Sequence, residues 1–319
     1  MFQKQVIMRR VVYSLIPVFL FATYLYGWRT VLLVGVVYVL GILTEFVIEK
    51  TRNKKVSEAV LVTCGLYALS LPPMVPIWVA GVGIVFAVLI GKGVYGGFGR
   101  NIFNPAITGR LFIYITFPTL LQASWATPGA LGPVPDGMTS ATPMAIMNGT
   151  AEGSVDWVNM LLGFRAGSLG ESAIILIIAA AVYLIWTKTA NWKLILSTFV
   201  SAGVFATIFY YAGFTPIPPH MAMMSGSILY VAVWMSTDPV SAPNKSLSQW
   251  AYGTIIGTVS MLVRTFAGFP EGTSFGILMG NTFASLLDEI LPAPKRKKKK
   301  AAKKKPSGQA AASAKEVTA

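Results

Sequence analysis

The 319-residue sequence holds one cysteine, Cys64, and one histidine, His220. A disulfide framework needs paired cysteines, and an iron–sulfur cluster is held by several thiolates, so neither can be built within this chain. One His and one Cys also argue against a self-contained metal or haem site. Charge is scarce: Asp, Glu, Lys and Arg make up 12% of residues, against about 25% in an ordinary soluble domain. With 54% hydrophobic residues the chain cannot be disordered as a whole, because disorder requires few apolar groups and many charges. Nor does a Gly-rich dinucleotide fingerprint follow a strand.

Apolar runs are abundant. Segments near 20 residues match the hydrocarbon thickness of a bilayer. About ten are legible, at 11–28, 30–49, 59–72, 74–92, 104–124, 173–188, 192–214, 221–237, 249–267 and 274–292. The expected fold is an all-α polytopic membrane protein of about ten transmembrane helices. Five spans per half, an odd number, would give the halves inverted topology. Each half's last span carries an asparagine, Asn104 and Asn281, after a Gly-containing turn, which points weakly to two inverted five-helix repeats with broken helices.

The net charge of +14 is concentrated at one end. Residues 293–319 hold ten Lys/Arg and one acid. This low-complexity Lys/Ala tail is expected to be disordered and to lie on anionic lipid rather than nucleic acid. The membrane domain is expected over 1–292. Basic residues flank alternate span ends: Lys4, Arg9 and Arg10, then Lys50 to Lys55, Lys92 and Arg100, Lys188 and Lys193, and Lys245. The positive-inside rule therefore predicts cytoplasmic termini and an extracytoplasmic loop at 125–172. The run after Arg10 passes straight into a second span without a cleavage signal, so it reads as a retained span.

That loop holds Thr139-Ser140-Ala141-Thr142 in its first half and Gly167-Ser168-Leu169-Gly170-Glu171-Ser172 at its end. By composition the first is a surface turn with hydroxyls. The second is either a capped helix start or a set of backbone N–H groups suited to a phosphate, with Arg165 near. Among ionisable residues at membrane depth, Glu45 is the best buried candidate. It needs a cationic partner, a proton or a bound ion. Arg110 reads as one half of an ion pair whose partner the sequence does not name. Glu45, with Asp238, is the candidate for ion coupling; the rival reading is a structural pair with an Arg, or snorkelling through the one turn to Glu49 and Lys50.

Taken together, Gly96-Gly97-Phe98-Gly99-Arg100-Asn101-Ile102-Phe103-Asn104-Pro105-Ala106, Ser236-Thr237-Asp238-Pro239-Val240-Ser241-Ala242-Pro243, Gly268-Phe269-Pro270-Glu271-Gly272 and the 167–172 segment resemble a family. It comprises the D subunits of Rnf complexes and the B subunits of the sodium-pumping NADH:quinone oxidoreductase. The similarity covers nearly all of residues 10–292. In that family a Ser/Thr-x-Ala-Thr element carries FMN through a phosphoester on its last threonine. The resemblance thus implies covalent FMN on Thr142, with Thr139, Ser140 and Ala141 forming the element, although Ser140 stands where Gly is often found. Gly167, Ser168 and Gly170 are then expected to help stabilise the phosphate. The family also allows a second, non-covalent flavin such as riboflavin, which no residue here singles out.

The implied function is that of a membrane subunit of an Rnf-type redox-driven Na⁺ or H⁺ pump in a bacterial or archaeal cytoplasmic membrane. It would pass electrons between ferredoxin-side and NAD-side partners, and it is not catalytic alone. Iron–sulfur, NAD-binding and further flavin-bearing subunits are the implied partners. The Rnf D reading is put first because span one begins almost at once; the quinone-reductase B reading stands second. A flavin-free channel or transporter and a membrane scaffold are the rivals from other classes.

Overall fold

The computed structural model describes residues 2–129, 141–267 and 272–292. Helices dominate, and among the described residues the only strands are the two-residue β1 (Phe2–Gln3) and β2 (Val56–Ser57), paired in parallel. α1 (Val6–Tyr26) and α2 (Trp28–Thr51) are separated by Gly27 alone. Gly27 has φ +72°, the left-handed region that glycine adopts without a Cβ clash, and its N–H donates to Thr23 O at 2.8 Å. These two helices and the later one over Trp192–Tyr211 are long and apolar enough to cross a membrane. Ile16, Leu20, Val39 and Leu43 stand exposed on α1 and α2, as expected of a surface solvated by lipid.

α3 (Ala59–Leu69) follows β2. It has 11 residues, nine of them buried. At 1.5 Å per residue it is roughly 16 Å long, about half a hydrocarbon core. The expected third span is therefore a short helix enclosed by its neighbours, and Pro72 and Pro73 prevent its extension. α4 (Ile77–Val88) continues as a π-helical turn, Leu89–Gly93, before the loop at 94–104. α5 (Pro105–Thr116) starts on a good cap: Asn104 Oδ1 accepts from Ala106 N at 3.0 Å, and Pro105 occupies the first helical position. α6 (Pro118–Gln122), α7 (Pro143–Met147) and α8 (Trp157–Leu162) are short.

The second half runs through α9 (Ile174–Trp186) and α10 (Trp192–Tyr211). The expected eighth span is broken. It consists of α11 (Pro219–Met224), a bend at Ser225–Ser227, α12 (Ile228–Tyr230) and a second π-helical turn, Val231–Met235. α13 (Ser246–Phe266) and α14 (Gly272–Ile290) complete the described chain. The asparagines noted in the two halves meet: Asn104 N donates to Asn281 Oδ1 at 3.0 Å, and Asn281 Nδ2 donates to Tyr252 OH at 2.7 Å.

One large apolar core joins α1–α5, α9 and the second π turn. A smaller one lies between α10, α11 and α13, with Met144 and Met147 of α7 packed on it. That contact seats the residue preceding α7, Thr142, beside the 163–173 turn. Residues 293–319, the expected tail, lie outside the described residues, as do Gly268–Glu271.

Candidate functional site

Thr142 is the N-cap of α7, and its Oγ1 accepts from Ala145 N at 3.3 Å. It lines a small cleft together with Trp125, Arg165, Gly167, Glu171 and Ser227. The structure thus brings together the end of the Thr-Ser-Ala-Thr element and the Gly/Ser-rich turn, which lie some two dozen residues apart in sequence. Ala141 is half-buried beside Thr142; Thr139 and Ser140 fall outside the described residues.

The cleft's far wall is rigidly built. Tyr26, at the end of α1, donates its hydroxyl to Arg165 O at 3.2 Å and reaches Gly167 O at 3.4 Å. Ser172 Oγ donates to Arg165 O at 3.5 Å. The Arg165 side chain is buried, with Nη2 donating to Glu171 O at 2.9 Å. Its Nε and Nη1 have no hydrogen-bond partner. Burial pulls this guanidinium below its ordinary pKa, partly offset by the Glu171 carboxylate.

Glu171 supplies the partner that the sequence leaves unnamed for Arg110. Arg110 Nη2 donates to Glu171 Oε1 at 2.9 Å, and both residues are buried. Arg110 also lies 5.7 Å from the Tyr114 ring centroid. The sequence signal for this pair is the lone acid in Gly-Glu-Ser, since a carboxylate entering a buried turn demands a cation.

The three expected phosphate-turn residues divide. Gly167 lines the cleft. Ser168 does not; its Oγ accepts from Arg110 Nη2 at 3.5 Å. Gly170 N donates to Leu69 O at 2.6 Å, and Leu169 N to Leu71 O at 3.0 Å. The Leu169 and Gly170 amides are thus engaged with carbonyls at the end of α3 rather than turned to a ligand. Gly170 is there for space: a Cβ would lie 2.9 Å from Tyr230 Cε2 and 3.0 Å from Leu69 Cβ.

Glu45 has a complete set of partners. Lys92 Nζ donates to its Oε2 at 2.6 Å, and Ser57 donates to its Oε1 through Oγ at 2.8 Å and N at 3.1 Å. Lys92 also donates to Ser57 Oγ at 2.9 Å. The structural pair is therefore what the structure holds, with a lysine as the cation. By sequence Lys92 belongs to the cytoplasmic flank, yet it sits in the first π turn with 3% exposure. Its signal is the Gly91-Lys92-Gly93 setting, whose glycines admit close packing. Asp238 accepts from Val240 N at 3.1 Å and Ser241 Oγ at 2.9 Å. It shares a cavity with Lys92, Asn101 and Asn104.

Comparison with known proteins agrees with the motifs. A model of the NQR2, RnfD, RnfE family matches residues 2–296. Three relatives are each named as the B subunit of a Na(+)-translocating NADH-quinone reductase. That of Azotobacter vinelandii is 31% identical over 268 residues, covering 81% of this chain and 65% of the relative. That of Yersinia pestis is 30% identical over 289 residues, covering 83% and 69%. That of Chromohalobacter salexigens is 34% identical over 263 residues, covering 79% and 63%. The chain thus spans about two thirds of the length of the curated relatives it matches.

Proposed function

The chain belongs to the NQR2, RnfD, RnfE family, and on that premise we propose that it is the flavin-bearing membrane subunit of a redox-driven ion pump. The family and its named relatives support a subunit of a membrane oxidoreductase complex that translocates ions. Of the two family readings open from sequence, the Rnf D subunit comes first. The matched relatives are quinone-reductase B subunits, so the second reading now leads: a Na⁺-translocating NADH–quinone reductase type of complex. Partner subunits would supply NADH oxidation and iron–sulfur chemistry, for which this chain's single cysteine is insufficient.

The observation that carries the flavin reading is the position of Thr142 in a cleft it shares with a buried arginine whose Nε and Nη1 lack partners. FMN attached through a phosphoester keeps a negative charge, which a guanidinium cation in the cleft wall favours electrostatically. A bound flavin supplies one- and two-electron transfer; the protein supplies attachment, orientation and electrostatics. Here Thr142 Oγ1 is the attachment atom, Tyr26 and Ser172 hold the opposite backbone in place, and the Arg110–Glu171 pair keeps the wall's carboxylate neutralised.

The test is chemical. The protein is produced with a flavin transferase, separated on a denaturing gel and viewed under ultraviolet light. Fluorescence and an FMN mass increment on the peptide containing Thr142 are expected. Thr142→Ala should lose both while retaining the fold, because Thr142 lies in a loop and caps only the five-residue α7. An unmodified Thr142 from such a host refutes the flavin reading and leaves a channel or scaffold.

A further inference from the structure

We propose that α8 is an interfacial anchor, its exposed apolar face lying in the headgroup–acyl boundary of the phospholipid leaflet around the Tyr26 end of α1. The inference goes beyond the flavin reading and does not depend on it.

The polarity of α8 is inverted. Met160 is the one buried residue of this helix, at 1% exposure. Trp157, Val158, Leu161 and Leu162 share an arc of roughly 140° on the other side. Trp157 is 58% and Leu162 45% exposed. A helix facing water presents polar groups there; the one polar residue of α8, Asn159, lies outside that arc. Six residues do not persist as a helix on propensity alone, and caps hold this one. Asp156 Oδ1 accepts from Val158 N at 3.1 Å, and Gly163, at φ +93°, donates its N–H to Asn159 O at 3.0 Å.

The C-terminal cap also fixes where the face lies. A Cβ on Gly163 would stand 2.9 Å from Phe21 Cε1 and 2.5 Å from Ser172 O, so the chain leaves α8 hard against α1. The next residue, Phe164, is exposed and meets the Phe21 ring edge-on at 6.2 Å, and Phe21 stacks on the exposed Tyr24 at 6.4 Å. The apolar face of α8 therefore continues the surface that a membrane-spanning helix offers to lipid.

The level along α1 is that of the headgroups. Trp28 begins α2 directly after Gly27. Trp78 is at the same end, because Arg29 Nη2 donates to Met74 O at 3.3 Å and to Val75 O at 3.4 Å, just before α4. Both tryptophans are exposed. Tryptophan concentrates at the membrane–water interface, and Trp157 is a third at this end. Residues 141–164 hold Glu152 and Asp156 and no Lys or Arg. No basic group is there to recruit anionic headgroups, so the contact is apolar insertion into phospholipid of any charge. An α8 held at that level keeps the 163–173 turn, and with it the wall of the Thr142 cleft, at the membrane surface.

The test places a fluorescent label on single cysteines in the full-length Cys64→Ala protein. Val158→Cys puts it on the apolar face, and Ser154→Cys puts it in the exposed polar stretch before α8. The protein is studied in nanodiscs, alone and assembled with its partner subunits. Quenchers are lipids with a doxyl group high on the acyl chain, lipids with one near the chain end, and iodide in the water. The label at 158 should be quenched at least about twofold more by the shallow doxyl than by the deep one, while iodide should favour the label at 154 by a similar factor. The result should be the same in zwitterionic and anionic nanodiscs, and in the assembled complex. Leu162→Glu should cut shallow quenching at 158 by about half or more, whereas Asn159→Glu, the same charge outside the arc, should leave it unchanged.

Iodide quenching at 158 equal to that at 154 puts the face in water and overturns the inference. Lipid quenching lost on assembly assigns the face to a partner subunit, and quenching confined to anionic lipid assigns the contact to headgroup charge; either result also overturns it. The comparison of the two labels decides the matter even if Leu162→Glu fails to fold.

Discussion

Replacing Lys92 by methionine removes a cation while keeping most of the side-chain volume. In the wild-type protein Glu45 accepts three hydrogen bonds, from Lys92 at 2.6 Å and from Ser57 at 2.8 and 3.1 Å. The two charged side chains, Lys92 and Glu45, are only 3% and 2% exposed. The variant keeps the two Ser57 bonds but leaves a carboxylate with no counter-charge. Removing one partner of a buried pair costs roughly 3–5 kcal/mol, because the survivor keeps its desolvation penalty without the attraction that offset it. The two Ser57 donors place the expectation for Lys92→Met at the lower end, about 3 kcal/mol. The double variant Lys92→Met/Glu45→Leu removes both charges and should be more stable than Lys92→Met alone by at least about 1 kcal/mol. Unfolding of the detergent-solubilised full chain, followed by thermal and denaturant titration, measures the cycle. The same cycle addresses ion coupling. A carboxylate waiting for a mobile cation tolerates Glu45→Gln without loss of stability, whereas one locked to Lys92 does not. A Lys92→Met cost below about 1 kcal/mol, or a double variant no more stable than the single, refutes the locked-pair reasoning.

Gly170→Ala should lower stability by about 1–3 kcal/mol, through overpacking against Tyr230 and Leu69; an unchanged melting temperature would show that the turn yields. Glu58 is held below its ordinary 4.5 chiefly by hydrogen bonds from Arg9, with Gln5 N adding another. Its folded pKa is depressed, so its contribution is present above pH 4.5 and fades as the pH falls through the lower folded value. The acid limb of a stability–pH profile should therefore flatten in Glu58→Gln. For topology, with Cys64 replaced by alanine, single cysteines at Gln3 and Ser154 should be labelled from opposite faces of the membrane. Labelling of both from one face contradicts the positive-inside assignment.

Sequence reasoning locates helices well where length and hydropathy act together, as in α1, α2 and α10. It overextends α3 and the segment at 221–237, because an apolar run does not say whether it faces lipid or protein. Enclosure by neighbours is a tertiary property, and only Pro72 and Pro73 hint at it. The cleft is half legible. Thr142 and Gly167 follow from motifs, and Arg165 stands out for its proximity in the chain. Arg165's free donors, by contrast, depend on where Tyr26, 139 residues away, positions its backbone. Glu45 is recognisable as buried, but its counter-charge is hidden: Lys92 looks like a flanking cation until the π turn carries it inward.

The hydrogen bond from Asn104 N to Asn281 Oδ1 spans 177 residues, and that distance has a temporal meaning. Ribosomes add about 5–20 residues per second, so the start of α5 emerges roughly 9–35 s before its acceptor exists. During that interval a backbone donor destined for burial must be hydrated, bound to a substitute or left exposed at a membrane insertion site. The first half of the chain therefore cannot reach its final packing while it is being made, and waits for α14 to supply the acceptor. A ribosome-released chain ending before residue 281 should remain a substrate for membrane quality-control proteases, even though all the helices through α13 are present in it.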